Sequence, residues 1–382
     1  MQQIFKFLTK RLFTLIILFS ASSLFAQMED NIKVGVLLPL SGNLSPYGQE
    51  LLQGIQLALD NLKSEDPKLN ARLSVIVKND AGIPKTSESM AEELYQKEKV
   101  HAIIGSVATF LTFQIAKIAQ KYEKPLIVPI ATEGLPEKKQ NPYIFQTSIP
   151  DPKQGSVMGI FAQKHLRRKK AAILYQEESL YSKSAAEEFK RTFTAKGGEV
   201  KIMQGFKYGT TEFRPILETV MTNAPDVVLL PVFIQDVKNI LEQAKALSVK
   251  IPFIGTDSWD NSFYHIKNSS LFEGNYFVTH FSPQDPHPAV KRFVDQYLKK
   301  FNKVPGSLAA LGYDAASFTI NAAGKINVGR NQSLQQILSQ KTEYETLSGK
   351  MSLNDDHKAV KALPVLVITS TDVRFMTKII PE

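Results

Sequence analysis

The chain has no cysteine and a single tryptophan in 382 residues. Without thiols, a disulfide framework, a zinc–thiolate site, a thiol nucleophile and a lipid-modified N-terminal cysteine are all excluded. Beyond residue 26 there is no uninterrupted apolar run long enough to cross a bilayer. Gly-x-Ser-x-Gly elbows, Walker loops and His-Glu-x-x-His pairs are absent too, so the usual hydrolase, nucleotide-hydrolysis and zinc-peptidase signatures are missing. The six histidines are scattered, which argues against a metal site. Carboxylates are plentiful, but none pairs convincingly for acid–base work. Neither an enzyme nor a cofactor is expected. Charge is not strongly one-sided: three of the formal +9 come from Lys6, Lys10 and Arg11. The one dense basic run, Arg167-Arg-Lys-Lys170, follows a helical pattern. A solvated helix end, where cations suit the helix dipole, explains it better than a nucleic-acid patch.

What is present begins with an export signal. Lys6, Lys10 and Arg11 precede the stretch Leu12 to Phe25, which is apolar but too short and too interrupted by serine for a comfortable membrane span. A signal peptide over 1–26, cleaved after Ala26, is expected. Leu24 is larger than the usual residue two before a cut, and an uncleaved anchor is the alternative. The length that remains suggests two domains and can bury sizeable cores without disulfides.

After the signal, strands and helices alternate. Val34 to Leu38 reads as a strand buried on both faces. A helix follows with Leu51, Ile55, Ala58 and Leu62 on one face, then a strand at Leu73 to Val77 and a helix near Thr86 to Lys97. Next come the strand Ala102–Ile104, a helix with Leu111, Ile115, Ile118 and Tyr122, and the strand Leu126–Val128 between Pro125 and Pro129. The alternation restarts after Ser148. Helices near Pro152–His165, Ser182–Lys196, Phe213–Met221 and Val237–Leu247 are interleaved with strands at Ala172–Tyr175, Val200–Met203, Asp226–Leu230 and Pro252–Gly255. The last third is mixed: a strand Gly274–Phe281, helices Pro288–Phe301 and Leu308–Ala323, and strands Leu363–Thr369 and Val373–Ile379. Alternation of this kind predicts parallel sheets built from right-handed crossovers, and two successive sets predict two similar lobes. In such sheets ligand loops lie at the carboxyl ends of the strands.

Several short motifs occur in order: Gly35-Val-Leu-Leu-Pro-Leu-Ser-Gly42 with Tyr47-Gly48, Ile103-Ile-Gly-Ser-Val-Ala-Thr109, Pro129-Ile-Ala-Thr132, Tyr143-Ile-Phe-Gln-Thr147, Phe253-Ile-Gly-Thr-Asp-Ser-Trp259 and Gly312-Tyr-Asp-Ala-Ala316. Each alone is weak. Together they resemble the type I periplasmic solute-binding proteins of the leucine/isoleucine/valine-binding group, from Ile32 to about Thr369. The resemblance implies an α/β clamshell of two Rossmann-like lobes joined by three crossings, near Ser148, Thr279 and Asp355. Lobe 1 would comprise 32–148 plus 279–355, and lobe 2 would comprise 149–278 plus 356–382. It further implies a monomeric periplasmic protein that captures an amino acid, serves a membrane ABC permease and has no nucleic-acid partner. A ligand sensor or cell-envelope assembly factor on the same fold is the alternative.

The resemblance also implies site residues. Thr109, at a helix start, would bind the ligand's α-carboxylate, although a capping role is the structural alternative. Ile130 would offer its backbone and Thr132 its hydroxyl to the same carboxylate. Thr132 as a simple turn residue is the alternative, and the Ile130 side chain is bulkier than the family's usual small one. Asp257, one methylene shorter than the glutamate of the branched-chain members, would pair with the α-ammonium; the alternative is a helix cap. Tyr47, Tyr181 and Phe233 would line the cleft, with Tyr181 aligning only if one extra residue is allowed before it. Leu308 would edge the side-chain pocket. Trp259 could wall the pocket or pack within lobe 2.

Overall fold

The computed structural model describes residues 31–132, 134–260, 269–326, 332–347 and 349–382. The expected signal segment 1–26 lies outside them. Short apolar runs form parallel strands because both of their faces are covered by helices. β1 (Ile32–Leu38), β2 (Leu73–Asn79), β3 (Ala102–Ile104), β4 (Leu126–Val128) and β5 (Ile144–Gln146) make a five-stranded sheet in the order β2-β1-β3-β4-β5. Every pairing in it is parallel. The second sheet contains β6 (Lys170–Gln176), β7 (Glu199–Phe206), β8 (Val227–Leu230), β9 (Phe253–Gly255) and β10 (Tyr276–Val278), ordered β7-β6-β8-β9-β10. This is the first sheet's order repeated. In both sheets the order reverses beside the first strand, and such reversals open a crevice at the strands' carboxyl ends.

The repeat is not complete. A small antiparallel sheet, β11 (Tyr344–Thr346), β12 (Gly349–Leu353) and β13 (Ala359–Val360), follows the mixed region. Then β14 (Leu363–Ile368) and β15 (Val373–Ile379) extend the second sheet antiparallel beside β10. The second sheet is therefore mixed, where alternation alone predicts parallel strands.

The helices that matter for the site are α1 (Ser45–Glu65), α2 (Pro67–Arg72), α3 (Pro84–Gln96), α4 (Thr109–Tyr122), α5 (Asp151–Ile160) and α6 (Leu180–Ala195). α1 buries Leu51, Ile55, Ala58 and Leu62, the face its periodicity marks. The helix expected over Pro152–His165 is α5 followed by one π-helical turn, Phe161–His165. In the basic run, the backbone N–H groups of Lys169 and Lys170 donate to the Asp226 carboxylate at 2.9 and 3.0 Å, while the Lys169 and Lys170 side chains stay exposed.

Candidate functional site

A cavity of about 600 Å³ opens between the carboxyl ends of the two sheets. The loops that follow equivalent strands meet there. After β1 comes Tyr47, and after β6 comes Tyr181. After β3 comes Thr109, and after β8 comes Phe233. After β4 come Ile130 and Thr132, and after β9 comes Asp257. All seven residues line this one cavity, with Leu308 at its edge. A second hollow, about 580 Å³, lies among Arg168, Lys245 and Lys250, and it contains none of these residues.

Tyr47 and Phe233 remain half exposed, at 51% and 55%. Tyr47 sits in the first turn of α1, where Gly48 allows the chain to fold back tightly. A Cβ on Gly48 would stand 2.1 Å from the Pro39 carbonyl oxygen. The Tyr181 and Phe233 rings stack with centroids 5.8 Å apart, forming an aromatic wall.

Thr109 is the first residue of α4. The N-cap is Ala108, with no side-chain cap bond, so capping does not occupy the Thr109 hydroxyl. The free N–H groups of the first turn make the helix start a suitable place for an anion. Ile130 gives its carbonyl to the Ser148 hydroxyl at 3.2 Å. Thr132 donates to Asp151 Oδ2 at 2.9 Å. Its hydroxyl is therefore committed to a carboxylate on α5.

Asp257 opens a single 3-10 turn, Asp257–Trp259, whose N-cap is Thr256, so Asp257 is not a cap. Its Oδ1 accepts the Tyr181 hydroxyl at 2.9 Å, and Oδ2 lies 3.0 Å from His280 Nε2. The Asp257 backbone N–H donates to Gln154 Oε1 at 2.9 Å. Burial alone would raise this carboxyl, but bonds to His280, Tyr181 and Gln154, with the attraction of His280, outweigh it and hold Asp257 below its ordinary value. Tyr181 moves the other way. Burial, then the neighbouring Asp257 charge, pushes its phenol well above the usual value, so it stays a donor.

Trp259 is fully buried. It donates from Nε1 to the Leu230 carbonyl at 3.1 Å and meets Phe272 edge-on, so it packs in the second core and does not wall the cavity.

Sequence reasoning missed six polar residues of this cavity: Asp151, Ser258, Asp260, Thr279, His280 and Ser307. Asp260 Oδ2 accepts hydroxyls from Thr279 and Ser307, both at 2.5 Å. The available signals were slight: an aspartate opening a helix after Pro150, and one histidine beside a threonine at the end of an apolar strand. Among the described residues, no group of three or more histidines, aspartates or glutamates could hold a metal ion.

The sequence profile of periplasmic binding proteins matches residues 31–372. The chain belongs to that family. Its paired α/β sheets have the type I fold of such binding proteins. It is similar to the Leu/Ile/Val-binding protein BraC3 of Rhizobium johnstonii, with 24% identity over 81% of this chain and 80% of that protein. Among solved structures, it resembles the leucine-binding protein LivK of Thermotoga maritima at 27% identity and a TM-score of 0.70, covering 91% of this chain and 98% of that one. It also resembles LivJ of Streptococcus pneumoniae, solved with isoleucine, at 26% identity and a TM-score of 0.72, covering 92% and 100%. The relatives are solute-binding proteins rather than enzymes, and the family is periplasmic. Among the described residues, no helix is long and apolar enough to cross a membrane.

Proposed function

We propose that the protein is exported by a cleavable signal, captures an amino acid with an apolar, branched-chain-like side chain, and presents it to a membrane ABC permease. Capture takes place between a lobe of residues 32–148 with 279–355 and a lobe of 149–278 with 356–382. The observation that carries this reading is the pairing of opposite polarities in one cavity. A helix start with an uncapped Thr109 comes from the first sheet, and an ionised Asp257 comes from the second. The first suits a carboxylate and the second an ammonium. The apolar walls, Ile130, Leu308, Leu311 and the Tyr181–Phe233 stack, suit an aliphatic side chain, in keeping with the names of the relatives. Touching both lobes, the ligand favours the closed arrangement through its differential affinity.

Isothermal calorimetry of the mature protein against amino acids, their 2-oxo acid analogues, small peptides, amides, polyamines and aromatic carboxylates tests this. Branched-chain amino acids should bind, and the analogues that lack the ammonium should bind at least tenfold more weakly. Binding of aromatic carboxylates alone would overturn the amino-acid reading; one structural neighbour, from Rhodopseudomonas palustris, was solved with 3,4-dihydroxybenzoic acid. No binding across the panel would favour a sensor or assembly role.

A further inference from the structure

His280 is the one histidine among the described residues lining the cavity. It follows β10 at the place where the chain leaves the second sheet, and it is 8% exposed. Nε2 faces Asp257 Oδ2 at 3.0 Å, and Nδ1 has no hydrogen-bond partner among the described residues. Asp257 therefore has one donor that stays neutral, the Tyr181 hydroxyl, and one whose charge can change.

We propose that His280 is a positioning residue that makes capture of an ammonium-bearing ligand depend on pH. The inference rests on Asp257 as the ammonium partner. With a neutral ring, Nε2–H donates to Asp257 and fixes its orientation, and the pair keeps one negative charge for the ammonium to neutralise. With a protonated ring, the pair is neutral before the ligand arrives. The incoming ammonium then meets a like charge, which disfavours binding. Protonation would also leave a buried Nδ1–H without an acceptor among the described residues.

The surrounding charges leave His280 in this role. On the cavity side stand Asp257, Asp151 and Asp260. Asp257 is held low and stays ionised over the range concerned. Asp151 takes the Thr132 hydroxyl. Asp260 takes two hydroxyls, and desolvation raises its carboxyl, so it needs a control. Tyr181 remains protonated. Behind the ring, Asp285 and Asp314 share a small space with His280, but each is paired to a lysine, Lys378 at 3.0 Å and Lys361 at 2.8 Å.

The experiment uses the mature protein, L-leucine and calorimetry at pH 8 and pH 5.5. Wild-type affinity should fall about tenfold at the lower pH, His280→Gln should change less than threefold, and Asp260→Asn should keep the wild-type slope. A flat wild-type profile, an unchanged slope in His280→Gln, or loss of the slope in Asp260→Asn overturns the inference. If His280→Gln does not fold, the wild type alone decides. At pH 6 leucine binding should release protons, seen as heat that varies with the buffer's ionisation enthalpy; no release overturns the inference. Asp257→Ala separates the two readings. Wild-type affinity in that variant takes Asp257 out of the ammonium role and removes this inference alone, whereas no leucine binding by the wild type at any pH removes the amino-acid reading and this inference with it. Lost binding in Asp257→Ala with a flat wild-type profile removes this inference alone.

Discussion

Asp257 stays ionised in a partly buried place because two side chains hold its carboxylate, Tyr181 from α6 and His280 beyond β10, while its backbone N–H is anchored on Gln154 of α5. A carboxylate fixed in this way can meet an ammonium without first reorganising. Asp257→Ala should weaken leucine binding at least tenfold, or about 1.4 kcal/mol, by calorimetry. Affinity equal to wild type would take Asp257 out of the ammonium role. Thr109→Val isolates the other end of the ligand. Ala108 caps α4 without a side-chain bond, so the melting temperature of the ligand-free protein should stay within about 1 °C while affinity drops several-fold. A large fall in the ligand-free melting temperature would assign Thr109 a structural role instead. Residue types and positions were legible for Thr109, Ile130, Thr132 and Asp257. The partners of Thr132 and Asp257 were not, because Asp151 and His280 reach them from elsewhere in the chain.

At the scale of elements, the helix packing depends on missing side chains. α1 meets α11 (Ser307–Gly324) so closely that a Cβ on Gly54 would lie 1.9 Å from the Ala309 carbonyl oxygen. Gly155 on α5 does the same against Ala185 of α6, at 2.0 Å. Backbone cannot yield as a flexible side chain can, so the helices must separate. Gly54→Ala should cost about 1–3 kcal/mol in urea unfolding; an unchanged midpoint would show that the helices shift freely. The apolar spacing of α1 identified its buried face, but its partner lies some 250 residues onward and could not be read from spacing. β3 and β4 coincide with their expected bounds because proline and polar residues punctuate them. The strands β11 to β13 were not anticipated, since runs of two to five residues carry too little periodicity.

For the whole molecule, the most buried ion pair among the described residues ties distant parts together. Lys361, 1% exposed, meets Asp314, 4% exposed, at 2.8 Å. Asp314 lies on α11, and Lys361 precedes β14 of the second sheet. Asp314 also accepts the Leu347 backbone N–H at 2.9 Å. Removing one partner strands a buried charge, so Asp314→Ala should lower stability by about 3–5 kcal/mol in urea unfolding at pH 7. Adding Lys361→Met should recover much of that loss. A single variant as stable as wild type would mean that solvent reaches Lys361.

The sequence by itself determined the alternation of strand and helix, the loops that carry polar residues past strand ends, and the family. These follow from local patterning, which is written residue by residue. Only the tertiary structure decided that seven residues spread from Tyr47 to Asp257 line one cavity, that Trp259 belongs to the core, and that His280 stands against Asp257. Those facts depend on which loops the two sheets bring together. Sheet order and crossings fix that, and no local spacing encodes it.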